Sequence, residues 1–312
     1  MAENPDRLLV VAPCRVGDLL LAQSLFIELK NRYPACRIDV LAVPDLFPLL
    51  ERMPQIAKVI PLPAEFDGFG MADRLAFARR IHSFGYSRAI LLTDGWRFAL
   101  TALLARIPVR TGFSPKALLN DIRTVDPQWT TVEKFVALGI GVSEDPVSHP
   151  ALPNLDIGLH HQIPVIEKFA VTESTEAVLA LCPGGGSDVA DRWAPECYAR
   201  LAKAASALGW QIWLLGDEND RRIGIGISET AGRCHNFIGQ TTLGEAIDLL
   251  SLADVVVTNY SGLMHIALAL QRQVLILAEP DRIDSPACRQ PGALLLPLSA
   301  DTEQILSELP GG

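Results

Sequence analysis

The segment APCRVGDLLLAQSL places Asp18 one residue after Gly17, at the start of a helix that follows the apolar run RLLVV. A carboxylate there has two uses. It complements the partial positive charge of a helix N-terminus, or it reaches away from the helix as a general base for an incoming hydroxyl. Position alone leaves the two readings even. Arg15, Arg97, Arg110 and Lys116 lie in the same half and are candidates to meet anionic groups of a substrate, although most such side chains are simply solvated.

The second half carries two turns of a different kind. In CPGGGSDVADRW, Gly184, Gly185 and Gly186 follow a buried strand and precede a helix. Consecutive glycines let a backbone approach a ligand without Cβ interference, and their amides can form an anion-binding concavity. The plain alternative is an ordinary strand-to-helix turn. In TNYSGLMH, Ser261 and Gly262 open a helix with a hydroxyl and free N–H groups, and His265 follows as either a ligand contact or a core histidine. Two such turns in one half point to a ligand containing a diphosphate. Tyr260 is the oddity, a bulky ring where a short polar side chain would suit an anion. Asp217, Glu218 and Asp220 in LLGDENDRRIG follow the second strand of this half, where an acid can hold ribose hydroxyls. Locally they read as a solvated helix start. Arg192 is a guanidinium of the kind that grips phosphate.

These residues need a scaffold that sets strand ends beside helix starts. RLLVVAPCRVGDLLLAQSLFIELKNRYPACRIDVLAV reads as strand, loop, helix, strand, and AVLALCPGGGSDVADRWAPECYARLAKAASALGWQIWLLGD repeats that order. Continuous aliphatic runs are the mark of parallel strands buried on both faces. Further strands are expected at Arg88–Leu92, Val109–Phe113, Asp254–Thr258 and Val274–Ala278, with helices at Phe98–Ile107, Leu243–Ala253 and Gly262–Leu270. GVSEDPVSHPALPNLDIGLHHQIP, with four prolines, reads as a linker. The expectation is an α/β chain of two Rossmann-like domains, residues 1–155 and 156–312, facing a cleft at the carboxyl ends of both sheets.

Composition narrows the function classes. Of 312 residues, 49% are hydrophobic and 20% charged, as in a soluble globular protein, and no apolar stretch is long enough to span a bilayer. The start MAENPDRLLVVAPCRVGD does not read as a secretory signal. Six scattered cysteines without a C-x-x-C pair indicate neither a zinc site nor a disulfide framework, and a cytoplasmic setting is expected. The net charge of −9 is uneven. Residues 1–155 hold 17 Lys and Arg against 16 Asp and Glu; residues 156–312 hold 10 against 20. An acidic chain without a basic stripe does not bind nucleic acid, and the near-neutral half is the one to meet a negative partner.

The run VGDLLLAQSLFIELKNRYPACRIDVLAVPDLFPLLERMPQIAKVIPLP, then VRTGF and LLND, then CPGGG and RWAPECYARLAK, then VVTNYSGLMHIALAL, resembles the bacterial lipopolysaccharide heptosyltransferases of glycosyltransferase family 9, above all the heptosyltransferase II type. The likeness keeps one order from about Arg7 to Leu277. It implies a GT-B fold with an acceptor-binding first domain and a second domain that binds ADP-heptose. It also implies a single inverting displacement onto a glycan or glycolipid acceptor of the lipopolysaccharide core. No cofactor is required, a divalent cation is left open, and the work is done at the cytoplasmic face of the inner membrane, with peripheral contact at most. Asp18 matches the base, Ser261 and Gly262 the turn under the diphosphate, and Asp220 the acid that holds the ribose. Gly184, Gly185, Gly186, Arg192, Tyr260 and His265 complete the expected donor set; Arg15, Arg97, Arg110 and Lys116 form the acceptor set.

Three positions depart from the family's pattern. Tyr260 stands where an acid is usual, Asp191 where a lysine is usual, and Ala278–Pro280 reads AEP in place of a YGP-like turn. These departures keep a second reading open, a catalytically silent GT-B homologue that binds a glycan or a protein. A sugar-nucleotide epimerase is a weaker third. A nicotinamide-dependent oxidoreductase is disfavoured, since no G-x-G-x-x-G follows either opening strand.

Overall fold

The structure, a computed structural model, describes residues 6–124, 126–140, 150–171, 176–185, 191–279, 288 and 290–310. The chain divides into two compact units, Met1–Pro153 and Asn154–Gly312.

In unit 1 the order is β1 (Arg7–Val11), α1 (Val16–Arg32), β2 (Arg37–Ala42), α2 (Phe47–Leu50), β3 (Ile56–Pro61), α3 (Met71–His82) and β4 (Arg88–Leu91). Then follow α4 (Trp96–Leu104), β5 (Val109–Gly112), β6 (Asp121–Ile122) and α5 (Thr131–Ile140). Unit 2 runs α6 (Leu159–Phe169), β7 (Val178–Cys182), α7 (Pro195–Ala207), β8 (Gln211–Leu214), α8 (Arg221–Ala231) and β9 (His235–Asn236). It continues with α9 (Leu243–Leu250), β10 (Val255–Asn259), α10 (Gly262–Ala269), β11 (Gln273–Leu277), β12 (Ala293–Leu296) and α11 (Thr302–Ser307).

Each unit holds one parallel six-stranded sheet, ordered β3-β2-β1-β4-β5-β6 in the first and β12-β11-β10-β7-β8-β9 in the second. The chain's direction of travel across the sheet reverses between β1 and β4, and again between β7 and β10. At such a reversal the connections leave to opposite faces, and a crevice opens at the carboxyl ends of the two strands.

Burial follows from the aliphatic runs. Every residue of β7 and β10 is buried, because helices cover both faces of a parallel sheet. Helix α1 is buried so broadly that Gln23 and Ser24 are inaccessible to water.

Most expected elements match the observed ones to within a few residues. Helix α4 starts two residues earlier than Phe98 because Gly95, extended, serves as its N-cap, and Arg106 in the left-handed region (φ 55°) turns the chain away after its end. The linker reading needs correction at its tail. Residues 141–149 lie outside the described residues, but Leu159–Phe169 form α6 with Pro164 inside it. Proline removes one helical hydrogen bond. Tertiary contacts compensate: Val165 is buried, Phe169 packs edge-on against Phe237 at 5.1 Å, and Lys168 pairs with Glu245 at 2.6 Å.

Candidate active site

The crevice of unit 2 lies between β7 and β10, where Cys182 pairs with Thr258. One turn leaves each strand there, and the two turns meet. Gly185 has φ +83°, and a Cβ on it would run into the Cβ of Ser261. A Cβ on Gly184 would collide with the carboxylate of Asp220. Both glycines are therefore required by close approach, and Gly185 also by its backbone conformation.

Asn259, the last residue of β10, ties the region together. It is wholly buried and makes four hydrogen bonds. Its Nδ2 donates to Pro183 O (2.8 Å) and Gly184 O (3.2 Å), while its Oδ1 accepts from Trp193 N (3.0 Å) and the Tyr198 hydroxyl (3.1 Å). The amide's hydrogen-bonding capacity is filled. One side chain thus fixes the glycine loop, the approach to α7 and the Ser261 turn.

Ser261 is extended (φ −148°, ψ 173°), and its Oγ accepts from Met264 N at 3.3 Å as the N-cap of α10. The first N–H groups of this helix, from Gly262 onward, have no intrahelical partner and face outward from its start. His265, one turn further, is 7% exposed, and burial pushes its imidazole down to about 4. It is therefore neutral at pH 7 and can offer a hydrogen bond but no charge. Tyr260 is half-buried and packs edge-on against His265, with ring centroids 5.6 Å apart.

Asp220 is buried beneath Gly184 and Gly216, and Arg192 Nη1 lies 3.8 Å from its Oδ1. Burial, and then the charge of Asp217, raise its carboxyl above the usual range, while Arg192 acts the other way. Asp217 and Glu218 behave as a local helix start. Asp217 Oδ1 accepts from Asn219 N at 2.7 Å, and Glu218 pairs with Arg221 at 2.9 Å. Gly186 and Pro280 lie outside the described residues; Asp191 is half-buried, immediately before Arg192.

In unit 1, Asp18 sits half-buried in the first turn of α1, and Arg15 is its exposed, extended N-cap residue. Among the described residues no side chain bonds to the Asp18 carboxylate. Arg97, in the first turn of α4, lies 4.9 Å over the Trp96 ring and 3.9 Å from Asp67. Arg110 is engaged by backbone: its Nε donates to Leu118 O (3.0 Å) and its Nη1 to Ile107 O (2.8 Å). Lys116 is exposed on the loop that Arg110 braces. Asp18 and Arg15 share one turn, and Arg97 follows the adjacent strand; the Arg110 guanidinium is instead turned to the backbone of its own loop.

Residues 74–282 match the family described as glycosyltransferase family 9 (heptosyltransferase). The chain is 34% identical over 293 residues to lipopolysaccharide heptosyltransferase 2 of Escherichia coli (strain K12), covering 89% of this chain and 84% of that one. The chain belongs to glycosyltransferase family 9. Lipooligosaccharide heptosyltransferase 2 of Haemophilus ducreyi is 32% identical over 288 residues, 87% of this chain and 82% of its own. Among solved structures, that of E. coli ADP-heptose lps heptosyltransferase II superposes with a TM-score of 0.86 at 31% identity, covering 97% of each chain. The α/β architecture is the GT-B class of this family-9 structure, as expected.

The sequence-based reading of this family-9 chain missed Asn259, Trp193 and Tyr198. The one available signal was an asparagine closing the buried run VVVTN, since a polar residue there needs partners. Arg74 was also missed. It is 2% exposed and donates to Arg97 O (3.3 Å), Thr101 Oγ1 (3.3 Å) and Phe66 O (3.2 Å). No group of three or more His, Cys, Asp or Glu suited to a metal occurs among the described residues. Among them no helix is long and apolar enough to cross a membrane.

Proposed function

We propose that this chain transfers a heptosyl residue from ADP-heptose to a lipopolysaccharide-core acceptor, with inversion at the anomeric carbon. The observation that carries the donor half is the meeting of Gly184–Gly185 with the Ser261 turn at the crevice of unit 2, in a family whose solved relative is an ADP-heptose enzyme. Residues of unit 1 take the acceptor. Asp18 accepts the proton of the acceptor hydroxyl as its oxygen attacks the anomeric carbon. The bond from that carbon to the ADP oxygen breaks, and ADP leaves with the electron pair.

Charge on the departing diphosphate must be met by dipoles and cations. Asp191, Arg192 and Asp220 together sum to −1, so the guanidinium alone cannot meet it. Peptide N–H groups at Gly184, Gly185 and the start of α10 carry the greater share, as at other helix N-termini that hold phosphate. Gly186 extends that loop, Tyr260 borders the site, neutral His265 donates a hydrogen bond, and Asp220 is assigned to the ribose. In this reading no cofactor takes part, and the rate with and without a chelator decides whether a divalent cation assists. With a glycolipid acceptor, the chain works at the cytoplasmic face of the inner membrane through peripheral contact of unit 1.

The test is incubation with ADP-heptose and a heptose-deficient lipopolysaccharide core, read by mass spectrometry. The acceptor gains one heptosyl residue, and Asp18→Asn lowers kcat by at least about a hundredfold with donor KM little changed. Release of ADP without a modified acceptor, or full activity in Asp18→Asn, refutes the assignment. The silent-homologue reading rests on Tyr260 and Asp191; it requires that the wild-type chain show no transfer at all.

A further inference from the structure

The two sheets share one topology, and that symmetry points to a second half-site. In unit 2 the strands flanking the reversal, β7 and β10, lead into the glycine loop and the Ser261 turn. Their counterparts in unit 1 are β1, which leads to Asp18, and β4, which leads through residues 92–95 to Trp96 and Arg97. Val11 pairs with Leu91 across these neighbouring strands, and Leu92 N donates to Val11 O at 3.1 Å. The Trp96 turn therefore borders the same crevice as the Asp18 turn.

What stands at that turn is built. Trp96 is 51% exposed, yet the backbone beneath it is fixed by the buried Arg74, whose guanidinium bonds to Arg97 O, Thr101 Oγ1 and Phe66 O. A buried guanidinium needs such partners to be tolerated. Arg74 lies 5.8 Å from the Trp96 ring centroid and Arg97 4.9 Å, with Arg97 still 39% exposed and only loosely paired to Asp67. Exposed Asp94 completes the turn. A held indole beside a guanidinium and a carboxylate suits a sugar ring. Its C–H face packs on the π surface, and its hydroxyls or anionic substituents take the charged groups.

We infer that Trp96 and Arg97 form a saccharide subsite for the acceptor, with the sugar ring on the indole and Arg97 donating to a substituent. The inference rests on the transferase reading, and it assigns Trp96, a residue outside the acceptor set expected from the sequence.

The experiment uses the full chain with ADP-heptose and a delipidated, phosphorylated lipopolysaccharide core oligosaccharide. Trp96→Ala raises acceptor KM about tenfold, the size of one stacking contact. Donor KM stays at the wild-type value, and Trp96→Phe restores most of the affinity. Dephosphorylating the oligosaccharide abolishes the effect of Arg97→Gln if the guanidinium meets phosphate and preserves it if the partner is a hydroxyl. An unchanged acceptor KM in Trp96→Ala, with wild-type turnover intact, overturns the subsite. Calorimetric titration of the oligosaccharide without donor tests it independently of turnover. If the wild-type chain binds but does not transfer, the transferase reading fails; if Trp96→Ala binds as tightly as wild type, the subsite fails.

Discussion

Replacing Asn259 by leucine keeps the side chain's size and removes all of its hydrogen bonds. Four partners lose their contact: Pro183 O, Gly184 O, Trp193 N and the Tyr198 hydroxyl. Asn259 is wholly inaccessible, so water does not replace the lost bonds. Each buried group left unsatisfied costs ~1–3 kcal/mol. Local relaxation and the added apolar surface offset part of that, which leaves a loss of about 3–5 kcal/mol against a typical total stability of ~5–15 kcal/mol. Tyr198→Phe removes only one of the four bonds and should cost about 1 kcal/mol. Urea denaturation measures both. The second readout is kinetic: the glycine loop is freed from the Ser261 turn, so donor KM rises while acceptor KM holds. A loss below about 1 kcal/mol for Asn259→Leu would refute the clamp. A large loss of stability with donor KM unchanged would show that Asn259 supports the fold and not the donor site.

Two other outcomes are expected. Gly185→Ala puts a Cβ against Ser261 at φ +83°, so the two turns must separate. Donor KM should rise about tenfold, within the ~1–3 kcal/mol cost of a side chain in that region, and the variant's steady-state rate of ADP release against donor concentration will show it. His265 is held neutral by burial, with its folded value at about 4 against an ordinary 6.5. Its depressed value means that the unfolded chain takes up a proton first as pH falls. The neutral ring's full contribution to stability is present above 6.5 and is lost progressively down to 4. The difference amounts to about 3 kcal/mol. Comparing wild type with His265→Gln by denaturation from pH 7 to 4 isolates it; parallel curves would show that the histidine is not buried neutral.

How far the sequence could be read depended on whether a constraint was local. Strand β7, the Val255–Val257 start of β10 and Val274–Leu277 of β11 are apolar runs because both faces of a parallel sheet are covered, so their positions were legible from the local sequence pattern. Gly184, Gly185 and Ser261 were legible because close approach and helix capping restrict residue type at the position itself. Helix α6 was hidden, since Pro164 and the paired histidines obscure its period and its support comes from Phe237, Glu245 and Ser251 in other elements. Asn259 was hidden for the same reason: its partners lie 61 to 76 residues away. Arg110 likewise donates to two carbonyls, those of Leu118 and Ile107, an engagement that no local pattern announces.

The central claim is that unit 2 binds a nucleoside diphosphate through peptide amides of the glycine loop and the start of α10. Calorimetric titration of ADP tests it most directly. The account predicts micromolar affinity in the wild-type chain, the same affinity in Asp18→Asn, and at least tenfold weaker binding in Gly185→Ala. No detectable binding to the wild-type chain, or an affinity indifferent to Gly185→Ala, would contradict it.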